Sequence, residues 1–153
     1  MPLKKIEIND SFWNKYTKLV PEEIIPYQWD ILNDKVEGAK PSHCINNFKI
    51  AEHVQEGEFF GAVFQDSDLA KWIESVAYSL AVTPDKNLEE TVDEVIRLIE
   101  KVQDTTGYLN TYFTIKEPHL RWTNLKEGHE LYTAGHMIEA AVAYYKTTGK
   151  KEF

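Results

Sequence analysis

Cysteine is almost absent from this chain. One residue, Cys44, stands among 153, so no internal disulfide framework can form, and such usage suits a reducing compartment. Long apolar runs are missing too. No stretch approaches the ~20 residues of a membrane span, and the two lysines of MPLKKIEINDSFW are followed by no apolar leader segment. We therefore expect a soluble, cytoplasmic protein without a membrane partner. Basic charge is the third shortage: 17 Lys and Arg stand against 25 Asp and Glu, a formal net charge of −8. No Lys/Arg-rich block interrupts the acidic excess, which argues against nucleic acid, whose phosphates would be repelled over most of the surface.

What is present is enough for one domain with a real core, since 42% of the residues are hydrophobic. Aromatics reach 12%, with four Trp, eight Tyr and seven Phe. Rings in excess of what a core needs line sugar or base sites; most of these are assigned to the core.

The chain is organised around HELYTAGHMIEAAVAYY, His129 to Tyr145, read as one helix in which only Glu130 and Glu139 carry formal charge. Leu131, Ala134, Ile138, Ala141, Val142 and Tyr145 follow one helical stripe; His129, Tyr132, His136 and Glu139 follow a second. The expectation is a helix buried on two sides, packed on neighbours through the first stripe and bordering a cavity with the second. His129 and His136 are two turns apart, about 10 Å along the axis, too far for one metal ion. Thr133 stands where an HExxH motif would need its second histidine. For His136 two readings stand, a hydrogen-bonded core histidine or a cavity wall. For His129 they are a helix cap or an imidazole that reaches a ligand.

Upstream, Ile6 to Trp13 alternates weakly, as a short extended segment would. Pro21 reads as the first residue of a helix that ends near Asn33, with Pro26 as a kink or a delayed start. From Asn33 to Phe64 the periodicity is poor, with a short helix expected at Asn46 to His53. A clear helix follows, Leu69 to Val82, preceded by Gln65, Asp66 and Ser67. Asp66 or Ser67 can accept its first backbone N–H groups, and Gln65 and Asp66 either cap alone or also aim polar atoms into a cavity. Leu88 to Gln103 reads as an outer helix, its apolar stripe Leu88, Val92, Val95, Ile99 and Val102 set against seven charged residues, with Asn87 and Glu90 as a capping box. The order is inner, outer, loop, inner. About two αα-hairpins of alternating exposure are what a toroidal barrel is made of, and four helices are too few to close one. No 34-residue helix-pair repeat supports a solenoid.

VFQDSDLAKWIESVAYSLA, VDEVIRLIEKVQDTTGYLNTYF, W-T-N-L and GHELYTAGHMIEAAVAYYKTTGK together resemble the N-terminal part of the catalytic domain of glycoside hydrolase family 127, the β-L-arabinofuranosidases. The resemblance runs from about Ile6 to Lys151. It implies an all-α fold, here an incomplete (α/α)6-type barrel of about two αα-hairpins after an irregular N-terminal segment. It places residues 1–153 in the N-terminal portion of a catalytic domain that releases terminal β-L-arabinofuranose with retention. In that family the nucleophile is a cysteine held on zinc by further cysteines and a glutamate, with another glutamate as acid/base. None of those residues matches a position here, and Cys44 stands in a different context. Zinc is thus implied by the family, but its ligands are not in this chain.

By the same resemblance His129 of H-E-L-Y matches a histidine that hydrogen-bonds the sugar, while Gln65, Asp66 and His136 belong to the same pocket wall. Trp72 and Trp122 are assigned to packing. The partners implied are an arabinose-containing oligosaccharide or glycoside and the missing C-terminal part of the barrel, in cis or in trans. Uncovered inner-helix surface would also allow a homo-oligomer. The competing reading is a non-catalytic helical module that binds sugar or pairs with itself or another chain.

Overall fold

Proline placement decides how the ordered chain starts. The structure, a computed structural model, describes residues 6–153; Lys4 and Lys5, read above for a leader, lie outside them. Residues 6–10 have no regular structure rather than an extended strand. Asp10 Oδ1 accepts from the backbone N–H of Phe12 and Trp13, 2.9 Å each, and opens helix α1, Trp13–Leu19. A π-helical segment, Val20–Ile24, leads directly into α2, Ile25–Leu32. The helix expected to begin at Pro21 therefore begins a full two turns earlier. Proline has no N–H to give to a carbonyl four residues back, and the wider π turn absorbs the missing bond without ending the run.

Residues 33–65 are held by side chains instead of by a ladder. Asp34 accepts from the His43 N–H at 2.8 Å and from Asn46 Nδ2 at 3.0 Å. Buried Asn47 exchanges bonds with both backbone groups of Phe60. Between these anchors lies α3, Cys44–Ala51, which starts two residues before the expected Asn46 and takes in Cys44.

The remaining helices are α4, Asp66–Val82; α5, Lys86–Val102; the short α6, Thr111–Ile115; and α7, Glu130–Thr148. No strand occurs among the described residues. α5 has the strongest separation of faces, with Val92, Val95, Ile96, Ile99 and Val102 buried. Its cap is Asp85, whose Oδ1 accepts from the N–H of Asn87 and Leu88 at 2.9 and 3.1 Å. The expected Asn87/Glu90 box is displaced because Asp85 is extended at the position where its carboxylate faces the open turn.

α4 and α7 lie side by side and parallel. Phe64 meets His129 and Tyr132 at one end, and Thr147 Oγ1 donates to the Ala77 carbonyl, 3.0 Å, at the other. α5 runs back against both, tied to α7 by the Tyr144 hydroxyl, which donates to Asp93 Oδ1 at 2.6 Å. α2 joins through stacked Trp29 and Trp72, ring centroids 4.5 Å apart, and Trp72 Nε1 donates to the Ile25 carbonyl at 3.1 Å.

The face that α7 buries is not the expected one. Glu130, Thr133, Met137, Ala140, Ala143 and Tyr144 are buried, while Leu131 (60% exposed), Ile138 (64%), Val142 (44%) and Tyr145 (49%) are bare. That face combines the small side chains of Thr133, Ala140 and Ala143 with the larger Met137 and Tyr144, and is anchored by the bonds Glu130 and Tyr144 make outside the helix.

Candidate functional site

The shared N-terminal end of α4 and α7 is where polar and aromatic groups converge. Gly61 makes the approach possible. Its φ of +111° suits glycine, and a Cβ there would come within 2.6 Å of Gln65 Oε1. With that space open, the Gln65 amide folds back: Oε1 accepts from the Ala62 N–H at 3.3 Å, and Nε2 donates to Asp68 Oδ2 at 3.0 Å and Ser42 Oγ at 3.3 Å. Ser42 and Asp68 also line a cavity of about 330 Å3 together with Gln28, Lys71, Trp72 and Ser75.

Lys71 links this cavity to α7. Its Nζ donates to Ser67 Oγ at 3.1 Å, lies 3.7 Å from Asp68 Oδ1, and sits 5.3 Å from the centre of the Tyr132 ring. The adjacent ammonium draws the Tyr132 phenol below its ordinary pKa. Tyr132 in turn stands edge-on to His136, centroids 4.6 Å apart, and 5.9 Å from His129. Phe64 closes the row 5.2 Å from His129.

His129 precedes α7 in a left-handed conformation, φ 51°, and its side chain makes no capping hydrogen bond. The cap reading for its imidazole is thereby corrected: the ring packs between Phe64 and Tyr132 and accepts from no N–H of the first turn. His136 Nδ1 lies 3.1 Å from Glu139 Oε2, yet the angle leaves that nitrogen without a hydrogen bond.

Asp66 is placed differently from its three companions. It is 2% exposed, and both oxygens are spent on Thr111: Oδ2 accepts from the backbone N–H at 2.7 Å and Oδ1 from the hydroxyl at 2.5 Å. Asp66 does not cap α4, and Gln65, in the cap position, makes no side-chain cap either. Burial raises the Asp66 pKa to about 6, against the lowering effect of the two Thr111 bonds. Glu130 is equally buried. Its Oε1 accepts from the Tyr108 hydroxyl at 2.5 Å and its Oε2 from the Trp122 N–H at 2.8 Å.

The structure thus brings Gln65, His129 and His136 to one edge and sets Asp66 behind it. Gln28, Ser42, Asp68 and Lys71 were missed. Asp68 and Lys71 carried a signal, being one turn and about two turns beyond Gln65 on the same helix; Gln28 and Ser42 reach the cavity only through the tertiary fold. Trp72 is packing, as read, but Trp122 is 49% exposed and edge-on to Tyr108. Among the described residues no group of three or more His, Cys, Asp or Glu could hold a metal ion. Cys44 is buried, its thiol 3.5 Å from the Gln65 carbonyl, and burial pushes its pKa well up. These residues do not fit the zinc centre that the family resemblance implies.

Parallel inner helices and an outer return helix define part of an (α/α)6-type helical barrel. The chain belongs to the family described as β-L-arabinofuranosidase, GH127 catalytic domain, whose model matches residues 5–153. It is 37% identical to a non-reducing end β-L-arabinofuranosidase of Bifidobacterium longum subsp. longum, over 96% of this chain and 25% of that protein. The crystal structure of a GH127 β-L-arabinofuranosidase from Geobacillus stearothermophilus T6 superposes with a TM-score of 0.95 at 55% identity, covering 97% of this chain and 23% of the other. A second GH127 β-arabinofuranosidase structure gives a TM-score of 0.87 at 33% identity, with 99% and 24% coverage. The chain spans about a quarter of the length of these relatives. Among the described residues no helix is long and apolar enough to cross a membrane.

Proposed function

We propose that this chain contributes one wall of the sugar pocket of a retaining β-L-arabinofuranosidase. The observation that carries the reading is the convergence of Gln65, His129 and His136 with Lys71 and Tyr132 at the common N-terminal end of α4 and α7. Imidazole and amide groups beside aromatic rings suit a furanose, which offers hydroxyls at its rim and C–H groups on its face. His129, Gln65 and His136 contact the arabinose, and Asp66 acts from behind them through Thr111.

Retention requires a covalent glycosyl intermediate and therefore a nucleophile and an acid/base group. In this reading both come, with the zinc ligands, from the remainder of the barrel, supplied in cis or in trans. The substrate is a glycoside or oligosaccharide ending in β-L-arabinofuranose, as the names of the relatives suggest.

The test is hydrolysis of an aryl β-L-arabinofuranoside. The chain alone gives none, and joining or mixing it with the C-terminal remainder restores turnover. In the active protein His129→Ala lowers kcat/KM at least tenfold, about 1.4 kcal/mol of transition-state stabilisation, with the melting temperature nearly unchanged. A large loss of melting temperature with little kinetic effect would make His129 structural. The bare stripe of α7 favours a second reading, a non-catalytic module that pairs with itself or another chain. A stable self-dimer, with no turnover when the remainder is added, would select it.

A further inference from the structure

Two acids occupy the same place on the two parallel inner helices. Asp66 is the first residue of α4 and Glu130 the first of α7, and each is 2% exposed. Both carboxylates reach out of their own helices to one segment, residues 108–111. Thr111 gives Asp66 its N–H and its hydroxyl, and three residues earlier Tyr108 gives Glu130 its hydroxyl. A short stretch of chain therefore bridges the starts of α4 and α7, with a buried carboxyl acceptor at each end.

The second oxygen of Glu130 holds the approach to α7. It accepts from the N–H of Trp122, which is left-handed at φ 62°, as is His129 at φ 51°. Non-glycine residues persist in that conformation only where their surroundings over-determine them. Gly128 completes the turn: a Cβ there would lie 2.7 Å from the Asn124 carbonyl oxygen. The ring of Tyr108 is fixed separately, with the Arg121 guanidinium 4.1 Å from its centre and Trp122 edge-on at 5.3 Å.

We propose that Tyr108 and Glu130 are positioning residues of the pocket. Segment 108–111, gripped by Asp66 of α4 and Glu130 of α7, sets the spacing between the Gln65–Asp68 edge and the His129 edge. Loss of either grip lets the two inner helices slide, and the row from Phe64 to His129 opens. Only the kinetic arm of the test rests on the function proposed above.

The experiment compares Tyr108→Phe, Glu130→Gln and a control, Val95→Ala, in the chain together with the rest of its barrel. Tyr108→Phe keeps the packed ring and removes only the hydroxyl. Glu130→Gln retains an oxygen for the Trp122 N–H and turns an amide donor toward the Tyr108 oxygen. Val95 is buried on α5, outside the pocket. We expect Tyr108→Phe to lower kcat/KM for an aryl β-L-arabinofuranoside about tenfold, mainly through KM, and to weaken the NMR contact between the His129 and Phe64 rings. Glu130→Gln stays within threefold and keeps that contact, and Val95→Ala loses melting temperature without moving it. The proposal is overturned if Tyr108→Phe keeps the ring contact and stays within twofold in kcat/KM, or if its losses match those of Val95→Ala at equal melting temperature. If the unmutated protein hydrolyses no arabinofuranoside but Tyr108→Phe still separates the rings, the proposed function fails and the brace stands.

Discussion

Burial and hydrogen bonding pull the proton affinity of Asp66 in opposite directions, and burial wins. Its pKa is raised from 3.8 to about 6, so the folded state binds the proton more tightly than the unfolded state. The stabilisation this supplies is full below about pH 4 and is lost as pH rises through about 6, a swing of about 3 kcal/mol. Asp66→Asn keeps an acceptor for the Thr111 N–H and a donor for its hydroxyl and does not titrate. Urea unfolding of the variant and its parent should therefore show the stability difference shifting in favour of Asp66→Asn between pH 4.5 and 7.5. Asp93 and Asp104, whose pKa values are lowered, run the other way in both proteins and cancel. A difference that does not change with pH would mean that Asp66 stays ionised across this range. The same residue marks where sequence reading stopped. An acid before a helix satisfies every local requirement of a cap, and a partner 45 residues away leaves no local trace. His129 stood out as a candidate by its place at an open helix start, where a cap and a ligand contact were equally open, and by the H-E-L-Y resemblance.

At the scale of the element, periodicity found every long helix, and local chemistry misplaced several ends. α5 is the clearest case: its stripe was read correctly and its cap was not, since Asp85 and Asn87 both suit the role and only the extended backbone at 85 decides. Asp85→Ala should cost about 1 kcal/mol and lower the melting temperature by a few degrees in a chain of this size, whereas Asn87→Ala should be near neutral. Equal losses in thermal melts would restore the capping box. The Pro21 helix was misread for a related reason. Proline signals a first turn, but α1 and α2 carry it inside a continuous run by widening one turn. α7 shows the limit of stripes: two were visible, yet the buried face lies between them and includes Glu130 and Thr133, which no apolar pattern marks.

Among the described residues two helices, α1 and α7, carry bare apolar faces. On α1 no residue is buried, and the exposed rings of Phe12, Trp13 and Tyr16 pack against one another. On α7 stand Leu131, Ile138, Val142 and Tyr145. The inner/outer alternation was readable from charge, and the barrel class from the motifs. Which stripe lacks a partner was not, because an apolar stripe reads the same whether the covering helix is in the chain or elsewhere. Relatives about four times as long supply the argument for what belongs on the α7 face. Covering a side chain the size of leucine or isoleucine stabilises by about 1.5–3 kcal/mol, so we expect the isolated chain to associate through the bare stripe. Leu131→Lys with Ile138→Lys should leave the melting temperature of the isolated chain almost unchanged, since both residues already face water. It should also abolish concentration-dependent association in sedimentation velocity. In the protein with its barrel complete, the same two lysines would be buried without partners and should destabilise it severely. A mild effect in both settings would mean that the stripe faces solvent throughout, and that the ring closes on some other surface of α7.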